Sequence, residues 1–200
     1  MASTVDIWNL ALNLVGDSFV VDPLENSTGA DLCRLHYPYA LGFVLEAVDW
    51  NFATKRIEVA ESATIEPAFG FQSSFKVPDD CSRIIEVWDN KRGNTNTRYT
   101  QNNLQWQQEG EYISADTSGQ VWVKYIEEVN DPNRFTDSFI AALAALLGSR
   151  LAIPVAASRQ LKLDLLNEYK LLVDEAAASD GMTGRTKVLR SNVLIGARAR

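Results

Sequence analysis

Apolar positions recur with helical spacing at both ends of the chain and with strand spacing in between. Ile7, Leu10, Ala11, Leu14 and Val15 stand at i, i+3, i+4, i+7 and i+8, which predicts a helix over 4–15. Ser3 with Asp6 has the form of a capping box, and Gly16 suits the left-handed residue that follows a helix. After a loop at Val20-Val21-Asp22-Pro23, a second helix is expected from Ser27 or Thr28 to about Val48. Ala30, Cys33, Tyr37, Leu41, Val44, Leu45 and Val48 line one side of it. Pro38 falls inside, removes a backbone donor and is expected to kink or split the helix.

Between 52 and 129 the period changes. Glu58-Val59, Phe75-Lys76-Val77, 83–88, Tyr112-Ile113 and 120–126 are rich in β-branched and aromatic residues and read as strands. Turn signals separate them at Pro78-Asp79-Asp80, Lys91-Arg92-Gly93-Asn94 and Ser118-Gly119. In the last strand Val121, Val123 and Tyr125 share one face and Trp122, Lys124 and Ile126 the other, so both faces are expected to be partly covered. The polar, Asn/Gln-rich stretch 94–108 reads as a long hairpin or loop with weak strands.

Helical spacing returns at Phe135. Phe139, Ala142, Leu143, Leu146, Leu147, Arg150 and Leu151 predict a third helix that stops before Pro154. A fourth, over 155–179, carries Leu161, Leu165, Tyr169, Leu172, Val173 and Ala176, and Asp180-Gly181 is expected to end it. The pattern therefore predicts an α+β chain. Residues 1–52 and 130–180 would form a mostly helical bundle of about four helices, 53–129 a β-rich insertion, and 181–200 an extended basic C-terminal tail.

Charge sharpens the last of these. The 200-residue chain has net charge −7, yet its last 16 residues, RTKVLRSNVLIGARAR, contain no acid. Their five cations leave 14 Lys and Arg against 26 acids elsewhere, so the body is near −12 and the tail near +5. An acidic body repels nucleic acid, whereas the tail suits an acidic partner. Arg185, Lys187, Arg190, Arg198 and Arg200 interleave with Val188, Leu189, Val193, Leu194 and Ile195. That composition fits a segment that orders on a partner, and Val193, Ile195 and Gly196 favour an extended form there. The other reading of the same residues is a solvated end.

Candidate chemistry is sparse. The N-terminus lacks a basic leader and an apolar run, and no apolar stretch is long enough to span a membrane. Cys33 and Cys81, far apart in sequence, read as reduced thiols of a cytoplasmic product. The sequon at Asn26 is discounted for want of a secretion signal. His36, the single histidine, has no nucleophile or acid partner by motif, and one His with two distant Cys makes no transition-metal cage. No metal or other cofactor is expected. Asp79-Asp80 reads as a turn, and the glycines form no phosphate-binding loop. Glu127 and Glu128 are the only adjacent glutamates, and no carboxylate pair stands out for hydrolysis. The segment Asp49-Trp50-Asn51-Phe52-Ala53-Thr54-Lys55-Arg56 has two readings. Its aromatics beside cations could stack on nucleotides, or Trp50 and Phe52 could pack at the junction of helices and strands while the cations face water.

Four segments then carry a resemblance. IWNLALNLVGDSFV, ADLCRLHYPYALGFVLEAVDWNFATKR, FKVPDDCSRIIEVW and the stretch FIAALAALLGSRLAIPVAASRQLKLDLLNEYKLLVDEAAASDGM occur in that order over about 5–182. Together they resemble the head-to-tail adaptors, or tail tubular A proteins, of short-tailed bacteriophages. Trp50, Phe52, Pro78, Asp80 and Cys81 match the family's motif positions. The part 94–110 and the detail of the tail match nothing in that pattern.

The resemblance implies a structural virion protein and not an enzyme. It implies a twelve-subunit ring under the portal protein at the head–tail junction, made in the host cytoplasm. Such a ring extends the DNA channel, which DNA traverses without specific binding, and is the platform for the tail nozzle protein of the tubular B type. The tail residues named above would dock on the portal. The two long helices would build the ring wall, with Arg150, Arg159, Lys162 and Glu168 as candidates for pairs between neighbours, and the β insertion would point outward or toward the nozzle. No membrane is involved. The competing expectation is a nucleic-acid-binding module that uses the basic tail and the Trp50–Arg56 patch, betrayed by a steep salt dependence.

Overall fold

A computed structural model describes residues 2–90 and 104–183, with side chains to residue 179. Among these residues the chain runs α1 (Thr4–Val15), α2 (Thr28–Ala47), β1 (Thr54–Ala60), β2 (Ser73–Lys76), β3 (Cys81–Trp88), β4 (Trp106–Glu109), β5 (Tyr112–Ala115), β6 (Gln120–Glu127), α3 (Asp137–Leu151) and α4 (Arg159–Thr183). The fold is α+β, but it is not the mostly helical bundle expected: helix makes up 45% and strand 22% of the described residues. The strands are all antiparallel and form two three-stranded sheets, ordered β1-β6-β3 and β2-β5-β4.

The departure has a physical source. Each strand looks like a short excursion in the sequence, but pairing gives the six a core of their own. Val121, Val123 and Tyr125 of β6, Ile84 and Val87 of β3, Phe75 of β2, and Ile113 and Ala115 of β5 form one buried cluster shared by both sheets. The alternate face of β6 does other work, because Ile126 belongs to the helical core. β4 and β5 are joined at Gly110, whose φ of +61° favours a residue without Cβ. β4 is mostly solvent-facing, so its polar sequence gave little period to read.

The helical lobe is built around α3. Residues Ala142 to Ser149 of α3 are buried without interruption, because α1, α2 and α4 all pack against this helix. The edge-to-face pair Trp8–Tyr37, with centroids 6.1 Å apart, ties α1 to α2. Phe43 against Tyr169, at 6.3 Å, ties α2 to α4. The caps of α1 form as the sequence predicts: Ser3 accepts from Asp6 N, Asp6 accepts from Ser3 N, and Gly16 is left-handed at φ +75°.

Three local expectations are corrected. α2 runs unbroken through Pro38, which is exposed; its packing against α3 outweighs the single missing donor. α4 begins at Arg159 and not at 155, because 152–156 form turns and Ala157 follows them at φ +49°. Asp180-Gly181 does not end α4, which continues to Thr183, so the first three residues assigned to the extended tail are helical. A single glycine costs a helix only about 1 kcal/mol, too little to stop it where neighbours favour it.

Candidate functional site

Trp50, Phe52 and Lys55 of the Trp50–Arg56 segment are occupied, and Arg56 is exposed. Trp50 is fully buried, its Nε1 donates to Val44 O at 2.8 Å, and its ring meets Phe139 edge-on at 4.9 Å. Phe52 packs against Phe135 and Phe139. Lys55 is held between two carboxylates, 2.8 Å from Asp80 Oδ2 and 2.5 Å from Glu127 Oε1. Arg134 donates to the other oxygen of Glu127 at 2.8 Å and to Phe52 O at 3.0 Å. Tyr125 completes the group by donating to Asp80 Oδ1 at 2.9 Å.

The titration directions follow from this geometry. The ammonium of Lys55 holds Asp80 below the usual carboxylate range, with the Tyr125 hydroxyl helping. Arg134, then Lys55, does the same for Glu127. Asp80 and Glu127 in turn raise Lys55. Tyr125 is raised first by burial and then by Asp80. Arg134 reaches back to Phe52, in the turn that follows Trp50, and Glu127 ends β6, so this network lies at the sheet edge where the chain enters and leaves the strands. Two of the quoted segments, one ending in Asn51-Phe52-Ala53-Thr54-Lys55-Arg56 and one containing Pro78-Asp79-Asp80-Cys81, therefore meet in space. Of the five motif positions, Trp50 lies in the core, while Phe52, Pro78, Asp80 and Cys81 are half-buried. Cys33 and Cys81 are free thiols, and burial pushes them up to about 12 and about 11. Such thiols are poor nucleophiles. Among the described residues no cluster of His, Cys, Asp or Glu is arranged to hold a metal ion.

Apart from exposed apolar side chains in loops, such as Leu24 and Phe69, and on α4, such as Leu171, two uncovered surfaces of the helical lobe are apolar. Between α1 and α4 a groove of about 430 Å³ opens onto α3. Its floor is Asp137, Ile140, Ala141 and Ala144, one helical face of α3. Leu10, Asn13 and Leu14 of α1 form one wall, and Glu168 and Leu172 of α4 the other. Leu10 was expected in the core, but it stands at the edge of the α1 stripe and is 48% exposed. On α2 a second apolar stripe points away from α3: Leu35, Tyr39 and Phe43 are 59%, 68% and 55% exposed. Each is four residues from the next, so they lie on one outward face, opposite Cys33, Tyr37, Ala40 and Val44. Going round α3, the order is α1, α2, α4 and then the groove. The stripe and the groove thus occupy opposite sides of the lobe.

Sequence reasoning missed both surfaces. The signal for the stripe was present as a second i, i+4, i+8 series in α2, masked by the stronger series that faces α3. The groove depends on how far apart α1 and α4 pack, which no single helix records. Of the four candidates for pairs between neighbours, one lies on these surfaces. Glu168 is on the groove wall. Arg150 is half-buried near His36, whose pKa is lowered by burial and then by that guanidinium. Arg159 is exposed at the start of α4 and Lys162 half-exposed one turn on. The structure does not bring the four together. The tail residues Arg185, Lys187, Val188, Leu189, Arg190, Val193, Leu194, Ile195, Arg198 and Arg200 lie outside the described residues, as does most of 94–108.

No family model matches the chain, and no curated protein matches it. No helix among the described residues is long and apolar enough to cross a membrane.

Proposed function

We propose that this chain is a structural virion protein, a ring-forming head-to-tail adaptor that docks on a portal protein, extends the DNA channel and provides the platform for the tail nozzle. The reading starts from the order and spacing of the four resembling segments. The observation that carries it furthest is the pair of uncovered apolar surfaces on opposite sides of one small lobe. A monomer that works alone rarely exposes such patches, whereas a subunit that meets a neighbour on each side needs them. The body charge near −12, repeated round a ring, weakens attraction for the phosphates of passing DNA. The basic, aliphatic tail suits docking on acidic portal groups. Ordering it costs about 1–2 kcal/mol per residue in backbone entropy, which buried aliphatics at roughly 1.5–3 kcal/mol each help to offset. Twelve tails per ring then add avidity. In this reading the protein is no catalyst and sits at the portal vertex of the virion. The nucleic-acid alternative loses support because Trp50, Phe52 and Lys55 are already engaged.

The test mixes purified portal protein with the full chain and, separately, with a chain ending at Thr183, which keeps α4 whole. Native mass and electron microscopy are expected to find a ring added to the portal by the full chain and none by the shorter one. Failure of both to bind, with the full chain retarding DNA in a strongly salt-dependent way, would replace this reading with the nucleic-acid one.

A further inference from the structure

The two apolar surfaces differ in form and lie on opposite sides of the lobe. One is a ridge: Leu35 and Tyr39 stand out from α2 with most of their surface in water, and Phe43 extends it with one side of its ring against Tyr169. The other is a groove with an apolar floor at Ile140, Ala141 and Ala144. Aromatic side chains bury about 150–250 Å² each, so a Tyr and a Phe supply much of the apolar centre of a contact when their pocket is present. Both signs of charge border the ridge, since Glu46 is exposed on the same face of α2 three residues beyond Phe43. The groove carries Asp137 and Glu168 and no cation among its lining residues. Arg150 of α3 is near enough to His36 of α2 to lower its pKa. Arg34, also on α2, is neutralised within the chain by Asp31.

We infer that the α2 ridge of one copy of this chain seats in the groove between α1, α3 and α4 of the next copy. The choice of occupant rests on the ring-forming reading above. The ridge cannot reach the groove of its own chain, because α3 stands between them. Each copy therefore offers one ridge and one groove, and the contact is head-to-tail. Such contacts propagate from copy to copy and close into a ring when the rotation per step divides a full turn. Seating would place Arg150 of one copy toward the acidic side of its neighbour's groove. This assigns Arg150 and Glu168 to opposite sides of one interface and leaves Arg159 and Lys162 outside it.

The test uses full-length chains with changes at exposed positions, where folding tolerates them. A ridge variant carries Leu35→Asp with Tyr39→Asp, and a groove variant carries Leu10→Asp. Sedimentation and native mass follow association up to about 0.5 mM, a range that detects even a weak contact. Wild type is expected to form a series of oligomers, and each variant alone to associate at least about tenfold more weakly. Mixed together, the variants are expected to form heterodimers and nothing larger. The groove variant keeps its ridge, the ridge variant keeps its groove, and a single good contact joins them. The inference is overturned by wild-type-like association of either variant, by a mixture that gives no heterodimer, or by a wild type that stays monomeric throughout. The adaptor reading fails separately. Head-to-tail oligomers that never dock on portal would sink it and leave this contact standing. Portal-bound rings formed by the ridge variant at wild-type occupancy would do the reverse.

Discussion

At the scale of single residues, Trp50 has the most invested in it. Its indole fills the point where the end of α2, the start of α3 and the first strand converge, and its N–H has a backbone acceptor there. Replacing it with alanine removes a fully buried ring and leaves a cavity bounded by Phe52 and Phe139, both fixed by Phe135. Trp50→Ala is expected to destabilise the chain by about 3–5 kcal/mol, measured as urea unfolding followed by circular dichroism. A loss under about 1 kcal/mol would mean that the aromatic group repacks and is no keystone. The sequence allowed two uses for this ring, stacking on a nucleotide or packing in a core. Composition alone could not choose, because both uses need an aromatic near cations. What decides is Phe135 and Phe139, more than 80 residues further along, and no local pattern reports so distant a contact.

At the scale of elements, legibility followed the strength of the periodic signal. α1 was readable to its ends because its caps are chemical, with Ser3, Asp6 and Gly16 each having a specific backbone task. The end of α4 was misplaced because a glycine is only a weak stop, and the start of β1 at Thr54 was missed because the preceding aromatic turn hid it. Close approach between helices was not readable either. Gly148 of α3 lies under α1: a Cβ built there would sit 3.4 Å from Ala11 O and 3.4 Å from Leu165 Cδ1. A methyl group just fits, so Gly148→Ala is expected to stay within about 1 kcal/mol of wild type, helped by its better helix propensity. Gly148→Val places further carbons where α1 and α4 already are. It is expected to cost about 1–3 kcal/mol by forcing α1 off α3. Thermal unfolding of the two variants side by side checks this, and equal melting temperatures would show that α1 yields freely.

At the scale of the whole molecule, the sequence foretold a β segment between two pairs of helices. It did not foretell that the segment has a core of its own, or what fastens that core to the helices. Buried Ile126 and Trp50 and the Arg83–Asp49 pair hold sheet to helices, and the group of Lys55, Asp80, Glu127 and Arg134 adds a polar joint at the sheet edge that makes stability depend on pH with a definite sign. Asp80 and Glu127 have lower pKa values folded than unfolded. Their contribution is therefore complete above the unfolded carboxylate values, about 4, and fades as pH falls through the depressed folded ones. Lys55 and Arg134 are raised on folding, so their contribution is complete below the unfolded values, above about 10, and fades only beyond them. The joint is thus whole near neutrality and weakens first in acid. Glu127, with its side chain 12% exposed and two cations on its two oxygens, is the member to remove. Glu127→Gln keeps the shape and deletes the charge. Near pH 6 the variant is expected to be less stable by about 1–2 kcal/mol, since Lys55 retains Asp80 and solvent screens part of the loss. Toward pH 3 the difference should shrink, because the wild-type carboxylate approaches its own protonation while glutamine has nothing to titrate. Urea unfolding of both chains at the two pH values measures it. A difference that is the same at both would show that the loss comes from the altered hydrogen bonding of the amide and not from the charge of Glu127.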